Sequence, residues 1–487
     1  MSGYGKPNQH KPKVKSHLLS NAFSPEKNAL SEKHMNVTTD TSARSDANNR
    51  SRELPLPRIL QICLLQVSTA IAFVLIHSTL NRVMIVEFGV SAWLVGIIIG
   101  FHNLLAIVRP MVGLYSDRHM FLGYRRTPSA IIGNLLVVIG VIGSIYGAIW
   151  MNTHYMLGLG FLILCAVIYG IGVNIFGTMF YALLADSAGE KHKAKAVTIG
   201  WFVLIMGSIL SAAFIGNYLS EFSQERLITL FWIGGAISMG FTWLALFKTE
   251  KRFADEGDFV KNTDEKINYR ESIKKLVDNK PVYKFFLFMF VTVVAIQGQD
   301  VILEPFGAHM FNMSISETTK LTQIWGAGTI IGIMIMGLFV VNYLGKKKTA
   351  YLGCVISAFG FGTISASAFF DPTFFKAGVL LLGIGNGTLT VGSLTLMMDM
   401  TTKANAGFFM GLWGLAQAIA NFVANAAGGA VRDISLFFSQ SQYVGYTAAF
   451  AIEIIGLFLA IWILSQVNVF EFQKNSSELL NESLSTS

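Results

Sequence analysis

The sequence predicts an all-α polytopic membrane protein with twelve transmembrane helices in two pseudo-symmetric six-helix bundles. Three observations carry this: composition, the spacing of apolar runs, and a pattern that recurs in both halves. Of 487 residues, 53% are hydrophobic and only 14% charged, more apolar surface than one soluble core could hide. A hydrocarbon layer of about 30 Å needs about 20 apolar residues per helix. Runs of that length fall near 59–80, 91–115, 127–150, 155–184, 194–219 and 226–247, then near 282–308, 316–343, 349–370, 374–398, 404–430 and 443–468. The predicted organisation is a disordered polar tail over 1–53, an N-terminal bundle over 54–247, a charged linker over 248–280, a C-terminal bundle over 281–470 and a second disordered tail over 471–487.

The halves repeat each other. The fourth run carries Gly170-Ile171-Gly172 and ends on Asp186, the tenth carries Gly383-Ile384-Gly385 and ends on Asp399, and the spacing is 16 residues in both. Gly200-Trp201 and Trp413-Gly414 then follow at related places. Duplicated bundles of this kind place a ligand site between their halves.

The net charge of +8 forms no basic stripe with interleaved aromatics, so nucleic acid is not an expected partner; the bilayer is. With the amino terminus in the cytoplasm, 30 of the 37 Lys and Arg fall in the tails, the linker and every second loop, and five in the opposite loops. That asymmetry predicts both termini in the cytoplasm. The first 50 residues hold no apolar core of a signal peptide, so the first span serves as the insertion signal. Cys63, Cys165 and Cys354 sit inside apolar runs without paired or metal-ligand spacing and read as packing residues. No phosphate loop, Ser-His-Asp or Cys-His arrangement or metal cluster is recognisable, so neither catalysis nor a required cofactor is expected.

Charges inside or beside the spans need a reason. Gly113-Leu-Tyr-Ser-Asp117-Arg118 followed by Gly123-Tyr124-Arg125-Arg126 resembles the loop signature of the major facilitator superfamily, Gly-x3-Asp-Arg-x-Gly-x-Arg-Arg, with three extra residues before the second glycine. The resemblance implies a cytoplasmic gate of Asp117, Arg118, Arg125 and Arg126 with Asp186 as partner, and Asp399 with Lys346, Lys347 and Lys348 as its counterpart. Arg109 lies about two turns inside the second span beside Pro110, where a cation either marks a pathway or snorkels to the surface. Glu453 in the last span has no partner nameable from sequence.

The seventh run reaches Gln299-Asp300-Val-Ile-Leu-Glu304-Pro305, two carboxylates at i,i+4 before a proline expected to end or kink the helix at its outer end. The first run ends on a related set, Asn81, Arg82 and Glu87, with Arg82 as the cation expected to offset the two acids. Intramembrane acids are functional-site candidates, so these two helix ends form the predicted transport site; hydration of helix ends at the interface is the alternative.

Leu80-Asn81-Arg82-Val83-Met84-Ile85 through Glu87, Val108-Arg109-Pro110, Ser116-Asp117, Gly123-Tyr124-Arg125-Arg126-Thr127-Pro128, Gln299-Asp300-Val301-Ile302-Leu303-Glu304-Pro305-Phe306-Gly307 and Ser316-Glu317-Thr318-Thr319-Lys320-Leu321 together resemble the PucC-type, or bacteriochlorophyll-delivery, family over about residues 54–470. The resemblance implies a thylakoid or other photosynthetic inner membrane, and delivery of a chlorophyll-type tetrapyrrole to light-harvesting apoproteins or assistance in their assembly, with chlorophyll synthase a possible partner. The magnesium of chlorophyll or bacteriochlorophyll takes an axial nitrogen or oxygen ligand. His77, one turn from Asn81, together with His102 and His309, are the candidate ligands; hydrogen bonding between helices is their ordinary role. A proton-coupled carrier of a small polar solute, using Asp300, Glu304 or Glu87, and a non-transporting scaffold are the competing readings. The Gly, Asn, Thr and apolar residues at the centre of the fourth and tenth runs favour an apolar or amphipathic ligand.

Overall fold

The computed structural model describes residues 56–121, 123–250, 280–399 and 406–467; the predicted tails and nearly all of the linker lie outside the described residues. Eleven helices among the described residues are long and apolar enough to cross a membrane. In chain order they are α1 Leu56–Glu87, α2 Ala92–Gly113, α3 Thr127–Trp150, α4 Tyr155–Ser187, α5 Ala196–Tyr218, α6 Gln224–Leu246, α7 Tyr283–Phe311, α8 Ile315–Val340, α9 Lys346–Ser367, α10 Pro372–Met397 and, last in the chain, α12 Gln442–Ser465. Between the last two lies α11, Ala406–Ser439. At 34 residues it is the longest single helix of the set, and its amides Gln417, Asn421 and Asn425 with Arg432 and Asp433 make it the least lipid-like.

Local sequence explains the irregular turns. Pro110 has no N–H and its ring crowds the carbonyl four residues back, and a 3-10 turn at Leu105–Ile107 absorbs this before the chain resumes α-helix over Val108–Arg118. The α2–α3 loop, where the extra residues fall, folds back on itself: Phe121 and Tyr124 exchange backbone hydrogen bonds of 2.9 and 3.1 Å across Gly123. Gly123 adopts φ +80°, a conformation open to glycine at little cost. In α1, π-helical turns run over Val74–Leu80 and Val83–Glu87. The chain therefore stays helical through Asn81 and Arg82, which are not at a helix end.

The duplicated Gly-Ile-Gly motif has matching work in both halves. A Cβ on Gly170 would meet His102 of α2 at 2.9 Å, and one on Gly172 would meet Val137 of α3 at 2.6 Å. A Cβ on Gly383 would meet Trp325 of α8 at 2.3 Å, and one on Gly385 would meet Ser357 of α9 at 2.3 Å. So α4 is wedged between α2 and α3 as α10 is between α8 and α9, the relation a duplicated bundle requires.

The halves approach each other closely at the end remote from Leu56 and Ser465. A Cβ on Gly96 would stand 2.1 Å from the Asn425 carbonyl oxygen, and one on Gly429 2.4 Å from that of Ala92, locking α2 to α11. On the other side of the bundle, Gly216 of α5 packs on Ser316 and Gly326 of α8 on Ile209. Nearer the termini, Ile107 and Met111 of α2, Trp201 and Phe202 of α5, and Leu338 and Phe339 of α8 are exposed.

Overpacking a filled contact costs about 1–3 kcal/mol or more. Gly383→Val should therefore lower the melting temperature in mild detergent and reduce abundance, whereas Gly160→Ala, where an added Cβ meets nothing within 4 Å, should leave both unchanged.

Candidate functional site

A small polar cavity of about 60 Å³ lies between α1, α7 and α8. From α1 it receives Phe73, His77 and Ser78, placed on the π-helical turn or just before it. Such turns shift side chains out of α-helical register and are common at functional sites. Gln297, Gln299, Asp300, Leu303 and Glu304 come from α7, and Thr322 and Trp325 from α8. The two predicted acids are thus brought together inside the bundle. Pro305 does not end the helix, which continues to Phe311, so neither acid sits at a hydrated outer end. A proline here is tolerated because neighbouring helices cover the turn it loosens.

Amides hold the first acid. Gln299 and Gln297 donate their Nε2 groups to the Asp300 carboxylate at 2.8 and 3.2 Å, and Asn81 donates its Nδ2 to the Asp300 and Val301 carbonyl oxygens at 3.0 and 3.1 Å. The last contact ties α1 to α7. Thr322 donates its hydroxyl to Glu304 Oε1 at 3.3 Å. The cation expected to offset these acids is engaged elsewhere: Arg82, buried, pairs with Glu87 and donates Nη2 to the Met313 carbonyl at 3.2 Å. Both rings of the Phe73–His77 pair stack at 4.5 Å, and His77 meets the edge of His102 at 5.2 Å. Both nitrogens of buried His77, Oε2 of Glu304 and the Trp325 indole nitrogen have no hydrogen-bond partner among the described residues. Buried polar groups of this kind are normally satisfied, and their clustering marks this cavity as the candidate site.

A hydrogen-bonded chain extends from His102 through α4. Asn174 donates Nδ2 to the His102 and Gly170 carbonyls at 2.9 and 2.7 Å, and its Oδ1 accepts Arg109 Nε at 2.6 Å. Arg109 is therefore partnered within the bundle. His309, by contrast, lies apart from the other two histidines, its Nδ1 2.7 Å from the Tyr446 hydroxyl. Arg432 covers the Tyr446 ring at 4.8 Å and binds Asp433 at 2.7 Å; Asp433 accepts the Trp93 backbone N–H at 2.9 Å, capping α2 from the other half.

At the end nearer the termini, Arg126 pairs with Asp186 at 3.2 Å and donates to Ser116. The carboxylate of Glu250 accepts the backbone N–H groups of Arg125, Arg126 and Thr127 at 2.8–3.1 Å, an anion at the amino end of α3. Lys347 donates to the Ser465 and Val467 carbonyls at 3.1 and 2.9 Å, a cation at the carboxyl end of α12. The side chains of Asp117, Arg118 and Asp399 lie outside the described residues.

The pattern of the PUCC protein family matches residues 79–472. This chain belongs to that family. Its relatives include Protein PucC of Cereibacter sphaeroides, 30% identical over 437 residues and covering 86% of this chain and 93% of that one. The bacteriochlorophyll synthase 44.5 kDa chain of Rhodobacter capsulatus is 29% identical over 389 residues, with 78% and 88% covered. Among solved structures, the nucleoside transporter NupG superposes with a TM-score of 0.65 at 14% identity, covering 84% of this chain and 99% of that one, and a bacterial homologue of the iron transporter ferroportin with 0.64 at 12%, covering 85% and 99%. At those identities they establish the shared major facilitator fold and nothing about cargo.

In this PUCC-family chain the structure adds residues that sequence reading passed over: Ser78, Thr322 and Trp325, the Asn174 relay, and Glu250. A buried polar residue in an apolar run is a signal only once a partner helix is known. A second space in this chain is a cleft of about 430 Å³ between α1, α5 and α6, floored by Val67, Ile71 and Leu75 and almost wholly apolar. At about 30 Å³ per water the polar cavity has room for about two, whereas the cleft falls in the range of about 300–1,000 Å³ that organic ligands occupy.

Loss of an N-terminal cap costs about 1 kcal/mol. Glu250→Gln should accordingly lower the melting temperature by a few degrees, while Glu221→Gln, which breaks an exposed pair with Arg226, should leave it in place.

Proposed function

We propose that this chain is a non-enzymatic carrier or assembly factor that hands a chlorophyll-type tetrapyrrole to nascent light-harvesting apoproteins in a photosynthetic membrane. Both termini face the cytoplasm in this reading, following the distribution of Lys and Arg. The observation that carries it is family membership across residues 79–472, with a relative whose name refers to bacteriochlorophyll. The geometry supports an amphipathic cargo: an apolar cleft of ligand size opens beside the helix that carries His77. Of the three candidate histidines, His77 is the one whose ring nitrogens are both buried and without a protein partner among the described residues, as an axial magnesium ligand would need. The closed cavity is far smaller than a tetrapyrrole, so contact with His77 requires α1 to part from α7 and α8.

A second reading, a proton-coupled carrier of a polar solute, draws on the half-buried Asp300 and the buried Glu304. The two separate experimentally. Under pigment handling, protein purified in mild detergent retains a chlorophyll-type absorption, and Asp300→Asn and Glu304→Gln each reduce antenna level without reducing the abundance of the protein itself. Under solute transport, the same substitutions abolish pH-driven uptake while antenna levels stay normal. A scaffold would sustain antenna assembly with no retained pigment. Normal antenna assembly in both well-expressed variants removes the site assignment.

A further inference from the structure

Asn174 of α4 is fully buried, and both hydrogens of its amide are taken: Nδ2 donates to the His102 carbonyl of α2 at 2.9 Å and to the Gly170 carbonyl one turn back at 2.7 Å. The amide is therefore fixed in orientation, and its Oδ1 accepts Arg109 Nε at 2.6 Å. Arg109 itself is exposed, and beyond this bond its guanidinium makes no hydrogen bond or ion pair with a described residue. A guanidinium holds its five N–H donors in one rigid plane. With Nε tied to Asn174, the edge formed by the two Nη groups stands open to a guest in a set orientation.

The setting selects that guest. Arg109 lies within the α2 span, ahead of its end at Gly113 by about 6 Å of helix rise. Leu104, Ile107 and Met111 of the same helix are exposed and apolar, so a guest seated at the guanidinium lays its own apolar part beside them. Tyr181 stands about two turns beyond Asn174 on the same face of α4 and is 43% exposed, adding a hydroxyl that can donate. A cation within a span is costly unless it is paired, and the arginine edge matches the two oxygens of a carboxylate or phosphate through parallel N–H bonds.

We propose that Arg109, oriented by Asn174, binds the oxyanion of a membrane amphiphile, a phosphate or carboxylate carried on an apolar body. Arg109 makes the contact and Asn174 is the positioning residue. The site is separate from both spaces already described, since Arg109 lines neither the polar cavity nor the apolar cleft. It goes beyond the cargo reading and does not depend on it.

The test is titration of the full-length protein, delipidated in a neutral detergent, with phosphatidylglycerol, dodecanoate and inorganic phosphate, read by microscale thermophoresis. Wild-type protein should bind at least one of the two amphiphiles, and the tighter of them identifies the oxyanion as lipid phosphate or as carboxylate. Inorganic phosphate, which lacks the apolar body, should bind more weakly. Arg109→Gln should weaken amphiphile binding about tenfold or more, the loss expected for a charge-assisted hydrogen-bonded pair. Asn174→Asp, which sets a competing carboxylate against Arg109, should weaken it at an unchanged melting temperature. Arg226→Gln, which removes the cation of an exposed pair with Glu221, should leave it unchanged. Undiminished affinity in Arg109→Gln, an equal loss in Arg226→Gln, no amphiphile bound by folded wild-type protein, or inorganic phosphate bound as tightly as either amphiphile would each overturn the proposal. Should Arg109→Gln fail to fold, Arg109→Lys decides: it keeps the charge without the planar edge, and full affinity there also overturns it. Pigment retention, read in the same samples, reports on the cargo separately.

Discussion

Lipid gives no hydrophobic reward for packing one helix on another, so in this protein close backbone approach and interhelical hydrogen bonds must hold the halves together. The contact on which most else depends is the Asn81 amide spanning from α1 to the Asp300 and Val301 carbonyls. It positions the α1 π-turn, and with it His77 and Ser78, against the amide-clamped carboxylate of α7. Around it, glycines on α2 and α11 bring those helices to van der Waals limits, while Asp433 caps the first turn of α2 across the same divide. Polar groups here act as fasteners first, and the site is what their unsatisfied remainder leaves over.

The two halves solve one structural problem with opposite charges. In the first, an acid after α6 satisfies the N–H groups at the start of α3; in the second, a lysine at the start of α9 satisfies carbonyls at the end of α12. Both join the third helix of a half to the sixth, and both complement a helix dipole. The joint recurs in both halves with different chemistry, and the acid that makes it in the first half, Glu250, comes from far along the chain rather than from the α2–α3 loop.

Apolar length made the twelve-helix plan readable, because it reports directly on the bilayer. The Gly-Ile-Gly repeat was readable for a similar reason, since close packing admits no larger residue. Asp300, Glu304 and Asn81 could be singled out because polar residues are conspicuous among apolar ones. Their placement was misread: proline within a covered helix does not end it, and the π-turns that carry α1 past Asn81 leave no periodic trace in a run that is apolar on all sides. The Arg82–Glu87 pair, five residues apart, was open to sequence reasoning once helix continued through it; the Glu453–Gly298 contact was not, because no local pattern links residue 453 to residue 298.

One helix separates the two spaces that matter. At about 100° per residue, positions two apart on a helix point to nearly opposite sides. Ile71 and Leu75 floor the apolar cleft, while Phe73 and His77, each two residues on, line the polar cavity. A guest in either space would therefore bear on the same helix, from opposite faces. Displacing α1 toward the cleft widens the cavity and narrows the cleft. The extra residue in each π-turn leaves α1 with backbone hydrogen bonds already out of α-helical register, so a shift of this kind rearranges bonds that differ little in length rather than breaking a regular helix. Any coupling between the two spaces would need no long-range pathway, because they share one wall.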